Sequence, residues 1–469
     1  MIFSELSILK CLLKPEGVYN RHNFRPFDTC SIDSRSIKKG QAFLAIKGKH
    51  KDGHDFIKEA LQKGACCIIA QESSFSQEKA VFVKVKDSLS AMRILARYIR
   101  KKKRVFVYAV TGSLGKTTTK EMLAFLLESQ GKVLKNKRTE NNILGVAKTI
   151  FSLNDERIII LELGTNCPGE IEYLARVCLP DVGIITFVRP AHLEGLKSTK
   201  GILSEKLSLL KANPRMKVIL NRDEPCLSGL WLPREAKSLF PGTDSLAGRN
   251  LRKAYWFGKD KSNDLFFRKI AASGENVVFI VQDKYRIKLP FWRQEFVYNI
   301  AAAVLAARLR GLNLEKLLKT MNGFDKFPPM RMEMKKAKGL RILNDAYNAN
   351  PYSFKKSLEV LRMAPFKKIA VIGDMLELGH RSSYYHKSLA ASIVKNRIDY
   401  CFFMGKYASK LKKELSRFGY NNAACCDSHS KVASGIFKII KDENFDAKRC
   451  LIFLKGSRKM ELEKVIGYL

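Results

Sequence analysis

An almost unbroken β-type apolar run, Val105-Phe-Val-Tyr-Ala-Val110, leads into Thr111-Gly-Ser-Leu-Gly-Lys-Thr-Thr118, and a helical pattern opens near Lys116. A buried strand that turns through glycines straight into a helix delivers the helix N-terminus to the strand's carboxyl end. That junction belongs to a mostly parallel sheet flanked by helices. It also aims backbone N–H groups and the positive end of a helix dipole at the space over Gly112, Ser113, Gly115, Lys116, Thr117 and Thr118, which suits a phosphate. In a P-loop the lysine, here Lys116, reaches the β- and γ-phosphates, and the hydroxyl, here Thr117, sits on Mg²⁺. The usual loop has four residues between its glycines, whereas only Ser113 and Leu114 separate Gly112 from Gly115. An ordinary strand–helix turn gives the same short match, so the loop needs support from the rest of the chain.

The surrounding pattern supplies it. Strand-like runs fall at 105–110, 132–135, 157–163, 182–186 and 216–221, with helical runs near 116–130, 143–152, 168–177 and 200–211. Strict alternation of this kind is the mark of βαβ units. Short β-type segments take over between 254 and 290, and an Ala-rich helix, Asn299–Arg310, closes the unit. Before it, residues 1–103 read as a smaller α/β unit. A strand in 40–48 and a helix over 56–63 stopped by Gly64 are followed by a strand at 66–70. A last helix, capped by Asp87 or Ser88, ends in Lys101-Lys-Lys-Arg104. After Pro328-Pro329, which favour extended chain, a second alternation puts strands at 340–344, 367–373, 399–404 and 450–454. Its helices lie near 351–363, 382–395, 406–416 and 458–467. The expectation is an α/β chain of three domains: a small α/β N-terminal domain (1–103), a central P-loop-type mononucleotide-binding domain (104–328) and a C-terminal Rossmann-like domain (329–469). A length of 469 residues accommodates them.

Composition narrows the function classes. No run approaches 18 uncharged apolar residues, so no membrane span is expected. The N-terminus carries an early acid and no basic leader, and the eleven cysteines show no C-x-x-C spacing. A cytoplasmic location is expected. The net charge of +40, from 85 basic and 45 acidic residues, raises nucleic acid as a partner. The charge is spread along the chain, however, and its densest cluster ends a helix, where cations suit the dipole. It reads as a solvated basic surface, and specific nucleic-acid binding is not expected.

In parallel sheets, functional side chains gather beyond the carboxyl ends of the strands. Glu162 lies near the end of Arg157-Ile-Ile-Ile-Leu-Glu-Leu163, where an acid must pair with a cation or bind a metal. His192 follows the strand at 182–186, and the pair Asn141-Asn142 follows 132–135, where a turn or a substrate contact would use it. Lys206, on a helix, reads by itself as a surface lysine. The C-terminal unit carries Asn344-Asp-Ala-Tyr-Asn-Ala-Asn-Pro351, Gly373-Asp-Met-Leu-Glu-Leu-Gly379 and Lys455-Gly-Ser-Arg458 at three strand ends, the last opening a helix. Three such ends predict a second site facing the first.

The shortened loop resembles that of the ATP-dependent Mur ligases, and ordered motifs extend the resemblance through the chain. They are Asp33-Ser-Arg35 with Asp52-Gly-His54, Asn141-Asn-x-x-Gly145, Leu161-Glu-Leu-Gly164, Ala191-His-Leu-Glu-Gly195, the three C-terminal segments and His386. The segments at 345–351 and 373–379 point to the branch that adds D-alanyl-D-alanine to a UDP-N-acetylmuramoyl-tripeptide, rather than the tripeptide-forming branch. The resemblance implies that Lys116 and Thr117, within Gly112–Thr118, hold ATP phosphates and Mg²⁺. It makes Thr117, Glu162, His192 and a carbamylated Lys206 the metal ligands. It puts Asn299, Arg331 and Asp345 on the adenosine or γ-phosphate side, and Ser34, Arg35, Asp52, Gly53 and His54 at the uridine nucleotide. Asn141 and Asn142 fall to substrate, and Tyr347, Asn348 and Asn350 to the incoming dipeptide. A monomer is implied. A sister ligase acting on another amino acid or a folate, and a basic P-loop protein that binds nucleic acid, are the other readings at this stage. Four places depart from the family pattern: Ala147 for a usual Pro, Phe187 for Asn, Arg293-Gln-Glu-Phe296 for Gly-x-His-Asn, and Met330 for Gly. Phosphate and metal positions keep the pattern, while the adenine side departs from it.

Overall fold

A computed structural model describes residues 1–48, 51–72, 80–137, 140–231, 253–444 and 446–469. Among these residues the strands form three sheets. The first contains β1 (Gly17–Tyr19), β2 (Cys30–Ser31), β3 (Ala42–Leu44), β4 (Cys67–Ala70) and β5 (Val81–Lys84), in the order 1-5-4-3-2. Only the β1–β5 pairing is antiparallel. The helix Ser88–Lys103 follows it and packs on the helices Ile143–Phe151 and Glu170–Cys178 of the next unit. Asp87 starts that helix by accepting from the Leu89 and Ser90 amides at 3.1 and 3.0 Å, and its last turn holds four consecutive basic residues, 100–103.

The second sheet runs through β6 (Phe106–Thr111), β7 (Val133–Lys135), β8 (Ile158–Glu162), β9 (Val182–Ile185), β10 (Lys217–Asn221), β11 (Tyr255–Gly258), β12 (Leu265–Ser273), β13 (Asn276–Val281) and β14 (Tyr285–Pro290). Its order is 14-13-12-11-10-9-6-8-7, parallel from β12 to β7 and antiparallel across β12–β13–β14. The chain leaves β6 toward β7 and β8 on one side and returns to β9 on the other. The carboxyl end of β6 is therefore the switch point, where an α/β sheet opens a crevice. The alanine-rich helix Val297–Arg308 is buried along nearly its whole length against the helix Lys116–Leu127, because small side chains let the two approach closely.

The third sheet comprises β15 (Glu333–Ala337), β16 (Leu340–Asn344), β17 (Lys367–Gly373), β18 (Tyr400–Met404), β19 (Ala423–Cys425) and β20 (Cys450–Lys455), in the order 15-16-20-17-18-19. Only β15 is antiparallel to its neighbour. Two expectations fail locally. The run at 458–467 is not an α-helix but two 3₁₀ segments, Arg458–Met460 and Leu462–Gly467, broken at Glu461, whose φ of 46° no right-handed helix accepts. Strand β12 has no counterpart in the sequence reading, because a register shift between Lys269 and Ala271 interrupts its alternation. No helix among the described residues is long and apolar enough to cross a membrane.

Candidate active site

The loop between β6 and the helix Lys116–Leu127 can be built only with glycine at its two hinges. Gly112 has φ 147°, and a Cβ there would lie 2.1 Å from the Thr186 hydroxyl. At Gly115, φ is 79° and a Cβ would lie 2.4 Å from the Asn299 amide nitrogen. The Ser113 amide donates to the Phe187 carbonyl at 2.7 Å, so the loop is fastened to the chain leaving β9. Asn299 donates to the Gly115 carbonyl and the Thr119 hydroxyl at 3.1 and 2.9 Å, bracing the loop from behind. Thr118 is buried beside it. Lys116 bends back to the Gly112 carbonyl at 2.8 Å. Its side chain keeps some exposure to the cleft, yet so much protein surrounds it that burial holds its pKa below the usual lysine value. Arg331 reinforces the shift, while Glu162 and Glu377 oppose it.

Glu162, at the carboxyl end of β8, is 3% exposed. Asn136 grips both of its backbone groups, donating to the Glu162 carbonyl and accepting from its amide, each at 2.9 Å; Lys120, fully buried, donates to the Asn136 carbonyl at 2.6 Å. On the carboxylate, Oε2 accepts from the Thr117 hydroxyl at 2.7 Å and Oε1 from the Asn141 amide at 3.2 Å. Asn142 turns away and spends its side chain capping the helix Ile143–Phe151 through the Gly145 amide at 3.0 Å. His192, in a left-handed conformation (φ 53°), places Nδ1 2.7 Å from the Glu377 carboxylate of the third sheet's loop. Its Nε2 has no partner among the described residues. The imidazole holds the Glu377 carboxyl below its usual range.

Lys206 is not the surface lysine that its helix suggests. It is 2% exposed, and burial, with Lys116 adding to it, lowers its pKa to about 7, against the opposing pull of Glu205 and Glu170. The sequence pattern misses this because the helix Thr199–Leu207 is covered on nearly every side. Glu205 is committed next to it, accepting from the Gly169 and Ile171 amides at 2.7 Å each.

The third sheet closes the opposite wall. Arg331 donates to the Thr117 hydroxyl at 3.1 Å and lies 4.1 Å over the Tyr347 ring. Asp345 accepts from Ser357 at 2.9 Å and from the Met332 amide at 3.2 Å, and pairs with the buried Lys455. Asn348 caps the Ala349 amide, and Asn350 forms a capping box with Ser353 at the start of the helix Pro351–Leu361. These groups and the loop enclose a cleft of about 300 Å³. Its lining takes in Asn141, Glu162 and His192 and also Phe187, Trp292, Glu295, Phe296 and Tyr352.

Thr117, Glu162 and His192 offer donors that suit a hard divalent cation. A hydroxyl and a carboxylate lie 2.7 Å apart, and an imidazole has one nitrogen unspent. The five N-terminal candidates do not line this cleft. Ser34 donates to Glu59 at 2.8 Å, and Arg35 makes a two-point contact with Asp33 at 2.9 and 2.8 Å. Gly53 packs on the Ile46 backbone. Asp52 lies 2.6 Å from His54 Nδ1, and His54 Nε2 accepts from the Gln71 amide at 3.1 Å. Asp52, His54 and Glu72 sit close enough to share a metal, but both His54 nitrogens are already taken. His386 is likewise filled, by the Met375 amide and the Ser382 carbonyl. Glu377, Asn136 and Lys120 had no assigned role in the sequence. Only Glu377 left a signal there, in the segment 373–379.

The chain matches the Mur ligase family catalytic domain over residues 26–100, the Mur ligase middle domain over 110–307 and the Mur ligase glutamate ligase domain over 330–458. It is 30% identical to the UDP-N-acetylmuramoyl-tripeptide–D-alanyl-D-alanine ligase of Bacillus subtilis, across 93% of this chain and 92% of that one. Among solved structures, MurF from Acinetobacter baumannii superposes with a TM-score of 0.82 at 25% identity, covering 99% and 98% of the two chains. The MurF ligase of Thermotoga maritima in complex with ADP gives 0.78 at 28% identity, covering 94% and 96%.

Proposed function

The chain belongs to the Mur ligase family and is an ATP-dependent ligase, and we propose that it joins D-alanyl-D-alanine to a UDP-N-acetylmuramoyl-tripeptide in peptidoglycan precursor synthesis. The observation that carries the reading is the cleft itself. A phosphate loop with Glu162 behind it faces Arg331, Tyr347 and Asn348 from another domain across one small cavity.

The chemistry follows from the substrates. A carboxylate is a poor electrophile, so its oxygen attacks the γ-phosphorus of ATP, ADP leaves, and an acyl phosphate forms. The dipeptide amine adds to the acyl carbon, loses a proton, and the tetrahedral intermediate expels phosphate. The Gly112–Thr118 amides and Lys116 hold the β- and γ-phosphates, and Arg331 reaches the same region from the third domain. Thr117, Glu162 and His192 would hold a Mg²⁺ ion, which would neutralise charge on the transferred phosphoryl group. Lys206 fits a further ligand once carbamylated. With a pKa of about 7 much of its amine is unprotonated at neutral pH, the form that adds carbon dioxide. Asn299 and Asn142 support the loop and a helix end, so their contribution is to shape the site. Asp345 orients Lys455 at the γ-phosphate side.

Tyr347, Asn348 and Asn350, on the wall opposite the phosphate loop, receive the dipeptide. Ser34, Arg35 and the turn Asp52–His54 take the uridine nucleotide in the domain drawn as 1–103, the long peptide reaching from there into the domain drawn as 104–328. The domain drawn as 329–469 excludes water from the acyl phosphate by lying over it. A cytoplasmic monomer suffices, since one chain supplies both walls. Phosphate release from ATP is expected only when the UDP-linked tripeptide and D-alanyl-D-alanine are both present. Turnover that ignores omission of the dipeptide overturns the assignment.

A further inference from the structure

The lining of the cleft contains a carboxylate without a partner among the described residues. Glu295 lies in the short 3₁₀ segment Phe291–Phe296, before the helix Val297–Arg308, and lines the cleft, half-buried. No ion pair or hydrogen bond to its side chain is present among the described residues. The nearest ammonium groups do not satisfy it. Lys356 is bonded to Glu359 at 2.8 Å, and Lys259 acts on Glu295 only at longer range. Around it stand rings. Phe187 lies 5.5 Å from Tyr298 and 6.4 Å from Tyr352, and Phe296 stacks on Phe327 at 5.5 Å. Tyr298 is spent on Asp223 at 2.9 Å, so its hydroxyl offers Glu295 nothing. Burial raises the Glu295 carboxyl against the pull of the two lysines.

The rings adjoin the phosphate loop, because the Phe187 carbonyl holds the Ser113 amide and both line the same cleft. A nucleotide with its phosphates over Gly112–Thr118 would bring its base against these rings, whose flat faces favour stacking. Stacking accepts every base alike. Choice between bases then falls to the unpartnered polar group, and Glu295 in its ionised form only accepts hydrogen bonds. Adenine presents an amino group at its 6-position; hypoxanthine and guanine present a carbonyl oxygen there, which repels a carboxylate. We propose that Glu295 is the residue that selects the nucleotide, accepting from the 6-amino group of adenine and rejecting 6-oxo purines. The inference rests on the phosphate-loop reading of the proposed function.

The test measures binding as well as turnover. Full-length wild type and Glu295→Gln are titrated with ADP and IDP by calorimetry, and kcat/KM is compared for ATP and ITP. The wild type is expected to favour the adenine nucleotide about tenfold or more. The glutamine side chain can donate to a 6-oxo group, so Glu295→Gln should bind IDP more tightly and ADP more weakly, with the ratio falling at least tenfold. In turnover the change is expected in KM and not in kcat, since the base takes no part in bond making. Equal binding of ADP and IDP by the wild type, or an unchanged ratio in Glu295→Gln, overturns the proposal. Because binding is read without peptide substrates, that result is separable from a failure of the ligase reading, which shows as absent dipeptide-dependent phosphate release.

Discussion

At the phosphate end of the cleft Lys116, Thr117, Glu162, Arg331 and His192 each hold a protein partner, whereas at the aromatic end Glu295 holds none among the described residues. Phosphoryl transfer requires charge at fixed points, so each group there is clamped before any substrate arrives. The base takes no part in bond making. It needs only a flat surface and one discriminating contact, which many side chains can supply.

Breaking the clamped end should therefore cost far more than altering the other. Lys116→Ala is expected to lower kcat/KM by roughly a thousandfold, the scale of removing one preorganised charge contact, with circular dichroism and melting unchanged. Next, Lys206→Ala should abolish turnover, and added short carboxylic acids should restore part of it if a carbamate is the missing group. The same lysine fixes a sign for stability. Its folded pKa of about 7 lies below the ordinary 10.5, so the unfolded chain binds more protons between those values. Unliganded protein should gain stability as pH rises through that window, and Lys206→Met should flatten the climb in denaturant melts.

Glu377→Gln sharpens the comparison from the third domain. It weakens the charge that orients His192, so the Mg²⁺ concentration for half-maximal activity should rise by about tenfold, with fold and nucleotide affinity kept. The smallest effect belongs to Phe187→Ala. Loss of one stacking face should raise the KM for ATP by about fivefold while kcat stays near wild type.

The sequence revealed the clamped end well, because glycines, a lysine and a buried acid at strand ends leave marks at fixed spacing. It revealed little of what holds that end in place. Asn136 and Lys120 act through backbone groups, and nothing in a linear pattern announces a side chain that grips a neighbour's carbonyl. Lys206 was hidden by a helix buried all round, and β12 by a bulge that breaks alternation. The 3₁₀ ending after Lys455 escaped because a single left-handed Glu461 decides it. Strand β15, Glu-Met-Lys-Lys-Ala, is polar because it lies at a sheet edge with one bonded neighbour.

Trp292 lines the cleft, edge-on to Phe291 at 5.1 Å. The chain has three tryptophans, and Trp256 is buried in β11. With Trp231 and Trp256 replaced by phenylalanine, the remaining indole becomes an optical gauge of the cleft. Its emission would register a nucleotide entering and leaving, without any label attached.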